Sequence, residues 1–348
     1  MFTKWLVAVA LICASAFSMA GETVAHKHAH EKKSTVVATA HKSAVKKVAV
    51  KAVKRKHVRH AKSAARHVTR VKHARKTQPR RYAVARNDVG SLVLMSSMAL
   101  VVSQDDEKTI YAKHPGVRSP IASLTKLMTA MVVLDAGLPM NEPLMVTWDD
   151  VDMLKGSSSR LPVDSVLSRE DMLHLALMAS ENRAASALSR AYPGGRHAFI
   201  EAMNRKAREL GMAQSRFIDP TGLHAENSAT AQDLVKMVKA AYQYPLIRQF
   251  STSESYDVAL HEHSLPVHFK NTNALIKNDN WDIGLSKTGY INEAGRCLVM
   301  QARIAQQPVI IVLLDSQGIY TRIGDANRVK KWIETKALRA SSRTAKFG

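Results

Sequence analysis

The chain has 348 residues, 46% of them hydrophobic, and a formal charge of +22 from 51 Lys and Arg against 29 Asp and Glu. That apolar fraction is enough for a large buried core, which excludes a wholly disordered chain, and two cysteines exclude a disulfide-stapled scaffold. The charge is concentrated in one stretch, so it describes a segment rather than the whole protein.

The chain opens "MFTKWLVAVALICASAFSMAGE", with Lys4, an apolar run from Trp5, and the small residues Ser18 and Ala20 before Gly21. This is the pattern of a secretory signal peptide over residues 1–20. The run is too short for a membrane span, and Cys13 follows bulky Ile12 rather than the small residue of a lipid-anchor signal. A soluble exported protein is expected, with Cys297 its remaining thiol and no internal disulfide.

Residues 21–86 carry 20 Lys and Arg against two Glu, and eight of the 15 histidines. With no aromatic residue before Tyr82, this segment cannot bury enough apolar surface to offset chain entropy, and it reads as a basic, low-complexity, disordered arm. Its histidines lack the fixed spacings of a closed zinc site, so no structural metal is expected. Its charge suits an anionic surface such as a wall polymer. From Asn87 onward 30 Lys and Arg face 27 Asp and Glu, and one globular domain is expected over residues 87–338, before a disordered tail over 339–348.

Within that domain "SLVLMSSMALVVSQDDEKTIYAKH" reads as a hairpin turning at Gln104-Asp105-Asp106. "SPIASLTKLMTAMVVLDAG", residues 119–137, is apolar nearly all round a helix and therefore buried, with start signals at Ser119-Pro120 and Ala122-Ser123 and a stop at Gly137. Residues 169–188 keep helical spacing, 197–211 form an amphipathic helix ended by Gly211, and a helix capped by Thr230 ends before Pro245. The period then shifts to two: "WDIGLSKTGYINEAGRCLVMQARIAQQPVIIVLLDS" gives three strands, turning at residues 292–295 and 305–308. "GDANRVKKWIETKAL" closes the domain as a helix. Strands at both ends with helices between predict an α/β fold, an antiparallel sheet flanked by helices with an inserted helical lobe.

One charge interrupts the buried run. Lys126 lies three residues after Ser123, so the two side chains meet on one helical face. A lysine whose methylenes pack while its ammonium reaches water is the plain reading, and Ser43–Lys46 repeats the spacing in the basic arm. Two further stretches select between the readings. "SEN" at 180–182 ends an apolar helix, and "KTG" at 287–289 lies in a glycine-flanked strand; each occurs once. In this order the three patterns match the signature of serine penicillin-binding proteins and active-site serine β-lactamases.

The chemistry explains the residue types. Acyl transfer needs a nucleophile, a base and donors aimed at the developing oxyanion. Ser123 at a helix N-terminus fits the nucleophile, and Lys126, desolvated and near a second cation at Lys287, fits the general base. Ser180 can relay a proton to the leaving amine and Asn182 can hold a substrate amide. Lys287 and Thr288 can bind an anionic end, Gly289 lets the substrate backbone approach, and the amides of Ser123 and Tyr290 are the expected oxyanion donors.

The likeness extends through "SLTKLMTAMVVLDAGLP", "MLHLALMASENRAASAL", "YPGGRHAFIEAMN", "FIDPTGL" and "LSKTGYINEAGRCLVM". From residue 90 to 337 the chain resembles the low-molecular-weight penicillin-binding proteins of the D-alanyl-D-alanine peptidase family (serine peptidase S11), and among them the endopeptidases. The resemblance implies a β-lactamase/penicillin-binding transpeptidase-like fold and a peptidoglycan stem-peptide substrate. It implies cleavage of D-Ala cross-links, or, as the alternative, trimming of stem pentapeptides. β-Lactams would be covalent inhibitors, the location periplasmic, and no cofactor or metal is called for. Carboxypeptidase relatives carry a second β-rich domain and a C-terminal anchor, whereas only residues 290–348 follow "KTG" here.

Three rivals are weaker. A class A β-lactamase has a deacylating glutamate downstream of its serine–x–asparagine motif, but the corresponding stretch here is "AQSRFIDPTG", without Glu. A nucleic-acid-binding protein would explain the basic arm, but export removes the chain from DNA. The third is a catalytically inactive wall-binding protein.

Overall fold

In each long strand of the domain apolar residues alternate between two faces, and that alternation gives the fold two cores. The structure is a computed structural model that describes residues 91–260 and 265–347, with side chains to residue 339. The signal-peptide stretch and the basic arm, with Ser43 and Lys46, lie outside the described residues. Five strands, β1 (Met98–Ser103), β2 (Thr109–Lys113), β3 (Asp282–Ile291), β4 (Gly295–Ile304) and β5 (Gln307–Ser316), form an antiparallel sheet in the order β2-β1-β5-β4-β3. Met98, Leu100 and Val102 of β1 and Ile310, Val312 and Leu314 of β5 join one core, while Ala99, Val101, Val309, Ile311 and Leu313 join the other. A sheet buried on both faces explains why "PVIIVLL" is continuously apolar.

Among the described residues six α-helices stand between β2 and β3: α1 (Thr125–Asp135), α2 (Arg169–Met178), α3 (Asn182–Arg190), α4 (Gly195–Glu209), α5 (Ala231–Ala241) and α6 (Pro245–Thr252). Residues 125–133 of α1 are all buried, because the other five helices pack around it. The closing helix, α7 (Thr321–Phe347), covers the opposite face of the sheet through Ala326, Val329 and Ile333. The hairpin, the antiparallel sheet from both ends of the domain and the inserted helices are as the sequence predicts.

The structure differs from the sequence reading in four places. The expected helix over 169–188 is two helices, broken at Ala179–Glu181, because Ser180 has a left-handed φ of 63° that a right-handed helix cannot continue. Ser119–Pro120 does not start α1 but pairs as a short strand with Ser228–Ala229, and Ser123 lies in a 3-10 turn (Ala122–Leu124) with no side-chain cap. Pro245, read as a stop, opens α6, since its fixed φ also suits the first helical position. The last helix continues to Phe347, through the stretch expected as a tail.

The edge strand β3 positions half of the site. Leu285 and Ile291 join the helix-side core, and a period of two places Lys287 and Gly289 on that same side, against the turn that carries Ser123. Gly289 pairs with Cys297 of β4, a buried free thiol whose pKa burial pushes up to about 11.

Candidate active site

Ser123 is held between two glycines from distant parts of the chain. A methyl group on Gly222 would lie 1.9 Å from the Ala122 carbonyl oxygen and 2.9 Å from the Ser123 nitrogen. On Gly289 it would lie 3.0 Å from the Ile121 oxygen and 3.1 Å from the Ser123 nitrogen. Both neighbours therefore approach Ser123 at backbone distance, and β3 passes directly beside its amide. Ala122 itself is left-handed, with φ 48°, and Thr125 Oγ1 fixes the turn by donating to the Ala122 oxygen at 2.8 Å.

Lys126 is fully buried, and its Nζ has three partners: Ser123 Oγ at 2.8 Å, Asn182 Oδ1 at 2.7 Å and the Thr221 carbonyl oxygen at 2.8 Å. Two of the three can only accept. A neutral amine has two N–H groups and one lone pair, so it donates to Asn182 and Thr221 and leaves the lone pair for the Ser123 hydroxyl. Burial lowers the Lys126 pKa to about 7, against the pull of the Asp219 and Glu181 carboxylates. Desolvation therefore sets the shift; the second cation expected to assist it is felt at the other lysine.

That lysine, Lys287, is also buried and donates to Ser180 Oγ at 2.8 Å and to the Thr288 oxygen at 3.1 Å. Burial first, then the charges of Lys126 and Arg322, hold it well below the usual lysine range. Thr288 Oγ1 donates to Thr272 Oγ1 at 2.7 Å. Arg322, from α7, donates to the Gly289 oxygen at 3.0 Å, and its Nε is buried without a partner. Cationic groups thus crowd this end of the site, which favours an anion there.

Ser123, Lys126, Ser180, Asn182, Lys287, Thr288 and the Gly289 backbone come together, with two changes of partner. Ser180 pairs with Lys287, and Asn182, expected to hold a substrate amide, offers its Oδ1 to Lys126 and one N–H to Ser157 Oγ at 2.9 Å. Tyr290 is half-exposed, with the Arg296 guanidinium 4.5 Å from its ring centre.

Sequence reasoning missed the loop that completes the site. Asp219 accepts from the amides of Thr221 at 2.6 Å, Gly222 at 2.8 Å and His224 at 3.0 Å, and this turn aims the Thr221 carbonyl at Lys126. Buried Asn227 ties the loop to α1 by donating to the Asp219 oxygen at 2.8 Å and to Thr125 Oγ1 at 3.1 Å, and Thr129 Oγ1 donates to the Pro220 oxygen at 2.7 Å. The signal was present as Asp-Pro-Thr-Gly, a turn in which the aspartate bonds amides two and three residues on. Both Asp219 oxygens accept from backbone amides of this turn, so the carboxylate shapes the loop.

The profile of the D-alanyl-D-alanine carboxypeptidase family matches residues 85–318. A D-alanyl-D-alanine endopeptidase of Pseudomonas aeruginosa is 48% identical over 253 residues, 73% of this chain and 82% of that protein. One of Escherichia coli is 50% identical over 242 residues, 70% of this chain and 78% of that protein. The crystal structure of the Streptomyces K15 DD-transpeptidase superimposes with a TM-score of 0.64 at 27% identity, over 69% of this chain and 97% of that one.

Proposed function

The chain belongs to the D-alanyl-D-alanine carboxypeptidase family of serine peptidases, and from that premise we propose that it hydrolyses D-Ala cross-links of peptidoglycan as an endopeptidase, through an acyl-enzyme on Ser123. The observation that carries this reading is the set of partners around Lys126, which leaves a neutral amine only the Ser123 hydroxyl as a proton source.

Ser123 Oγ attacks the D-Ala carbonyl carbon while its proton passes to Lys126 Nζ. The amides of Ser123 and Tyr290 receive the oxyanion; the approach of β3 to the Ser123 amide supports this pairing. Ser180, bonded to Lys287, relays a proton to the leaving amine as the C–N bond breaks. Water then cleaves the ester, releasing the D-Ala carboxylate and restoring the serine hydroxyl. A β-lactam acylates Ser123 by the same attack, and the stretch 213–222, where a class A β-lactamase carries its deacylating glutamate, has none here.

Lys287, Thr288 and Arg322 favour an anionic group on the substrate, which also fits a second reading, trimming of a stem pentapeptide at its free carboxylate. The names of the two similar endopeptidases support the first. The signal-peptide pattern and a wall substrate support export to the periplasm, with the basic arm as a tether to anionic wall polymers; no helix among the described residues is long and apolar enough to cross a membrane. Mass analysis of muropeptide digests tests the choice: D-Ala-linked dimers are expected to split into monomers faster than D-Ala leaves a monomeric pentapeptide. The reverse ranking would make the protein a carboxypeptidase.

A further inference from the structure

Residues 151–160, "VDMLKGSSSR", form a loop on the helical side of the site, and its two flanks are fastened. Asp152 accepts from the amides of Leu154, Lys155 and Ser157, each at 2.9 Å, and Gly156 supplies the bend with a left-handed φ of 63°. Ser157 Oγ accepts from Asn182, and Ser159 Oγ donates to Glu181 Oε2 at 2.7 Å. The loop is therefore built against the serine–x–asparagine motif.

From its tip Lys155 reaches the other side of the site. Its Nζ pairs at 2.5 Å with Glu293 Oε1, in the turn between β3 and β4, 138 residues further along the chain. The pair closes a ring of contacts. Ser157 of the loop meets Asn182, Asn182 meets Lys126, Lys126 meets Ser123, and Ser123 lies against the Gly289 backbone, from which β3 leads back to Glu293. Lys155 and Glu293 are both exposed, so this link of the ring is the weakest: an exposed ion pair is worth little and is screened by salt.

β3 is an edge strand, and a peptide lying along that edge to reach Ser123 occupies the gap between loop and strand. It then passes through the ring. A chain with a free end can thread a closed ring, whereas a cross-linked chain that continues to a saccharide in both directions cannot. We propose that the Lys155–Glu293 ion pair is a latch that sets substrate choice: closed, it admits a stem peptide with a free D-Ala end, and it opens to admit a cross-link. The inference rests on the function proposed above and names the residues that govern which of its substrates enter.

The test compares, in the full-length protein, splitting of a D-Ala-linked muropeptide dimer carrying a disaccharide on each strand with D-Ala release from a synthetic pentapeptide. Lys155→Glu and Glu293→Lys each place like charges at the latch and are expected to raise the dimer-to-pentapeptide ratio of kcat/KM about two- to fivefold, with the double reversal returning it to the wild-type value. A covalent latch gives the larger effect. Lys155→Cys with Glu293→Cys, joined by a short bismaleimide, is expected to lose about tenfold or more of dimer splitting while pentapeptide cleavage and labelling by a fluorescent penicillin are retained. The single-cysteine variants, treated alike, control for reaction at Cys13 and at buried Cys297. A ratio unmoved by the charge reversals or by the cross-link, or pentapeptide cleavage lost together with dimer splitting in the locked protein, overturns the latch. The wild-type ranking of the two substrates judges the endopeptidase reading separately, because the latch is read from the change in the ratio and not from its value.

Discussion

Two buried lysines face each other across this site, one on the first helix and one on the edge strand, and their surroundings differ in kind. Lys126 has carboxylates in its neighbourhood and two acceptor-only oxygens on its amine, so its proton is shared within a fixed network. The charges that act most on Lys287 are those of two other cations, Lys126 and Arg322. Burial depresses both, but the first lies beside the Ser123 hydroxyl and the second among other cations, which under the proposed function suits a base and an anion-binding group respectively. Charge type alone does not assign a role; the acceptors and neighbouring charges do.

The largest expected effect breaks the site before either lysine matters. Ser123→Ala is expected to abolish covalent labelling by a fluorescent penicillin, which in the wild-type protein is expected to persist because the stretch 213–222 carries no glutamate. Labelling retained in that variant would sink the nucleophile assignment.

Next comes the base. Lys126→Ala is expected to slow acylation by a factor of about 10² to 10⁴ with the fold retained by circular dichroism. In the wild-type protein the acylation rate is expected to rise with pH through about 7, as Lys126 loses its proton, with an apparent value that belongs to the coupled pair of lysines. The same shift has a sign for stability. Because the native pKa lies below the ordinary lysine value of 10.5, the unfolded chain takes up a proton that the native site refuses, and stability falls as pH drops from that value towards 7. A rate that stays flat from about pH 6 to 8 would remove the distinction drawn between the two lysines.

Lys287→Ala is expected to act on recognition, raising KM for a substrate with a free carboxylate about 10- to 100-fold, the loss of one charge-assisted contact. An unchanged dependence on that carboxylate counts against the anion-binding role. The smallest effects are expected outside the described residues. Removing residues 21–86 is expected to reduce sedimentation with isolated cell walls at low salt while activity on small soluble peptides is unaltered, and Ser43→Ala is expected to change nothing. Equal wall binding by the truncated protein refutes the tether.

The sheet and most helices were legible because their signals are local: a continuous β-branched and apolar run in "PVIIVLL", and an apolar circumference at 125–133. The break at Ser180 was not, because a serine in the left-handed region is stabilised by what surrounds it rather than by its own preference. The Asp219 loop was visible only as a turn, since nothing local to it says that its carbonyl will meet a lysine 95 residues earlier in the chain. Ser123–Lys126 and Ser43–Lys46 share one spacing, and only the first comes with the later motifs.

The sequence by itself determined the three motifs and their order, serine–x–x–lysine, serine–x–asparagine and lysine–threonine–glycine, because chemistry restricts which side chains can do the work proposed for them. Only the tertiary structure decided their partners: that Asn182 and Thr221 both accept from Lys126, that Ser180 turns to Lys287, and that Arg322 arrives from the last helix. The reason is distance along the chain. Spacing fixes neighbours within a turn of helix, but contacts between residues 56, 95 and 107 positions apart exist only once burial has packed the elements that carry them.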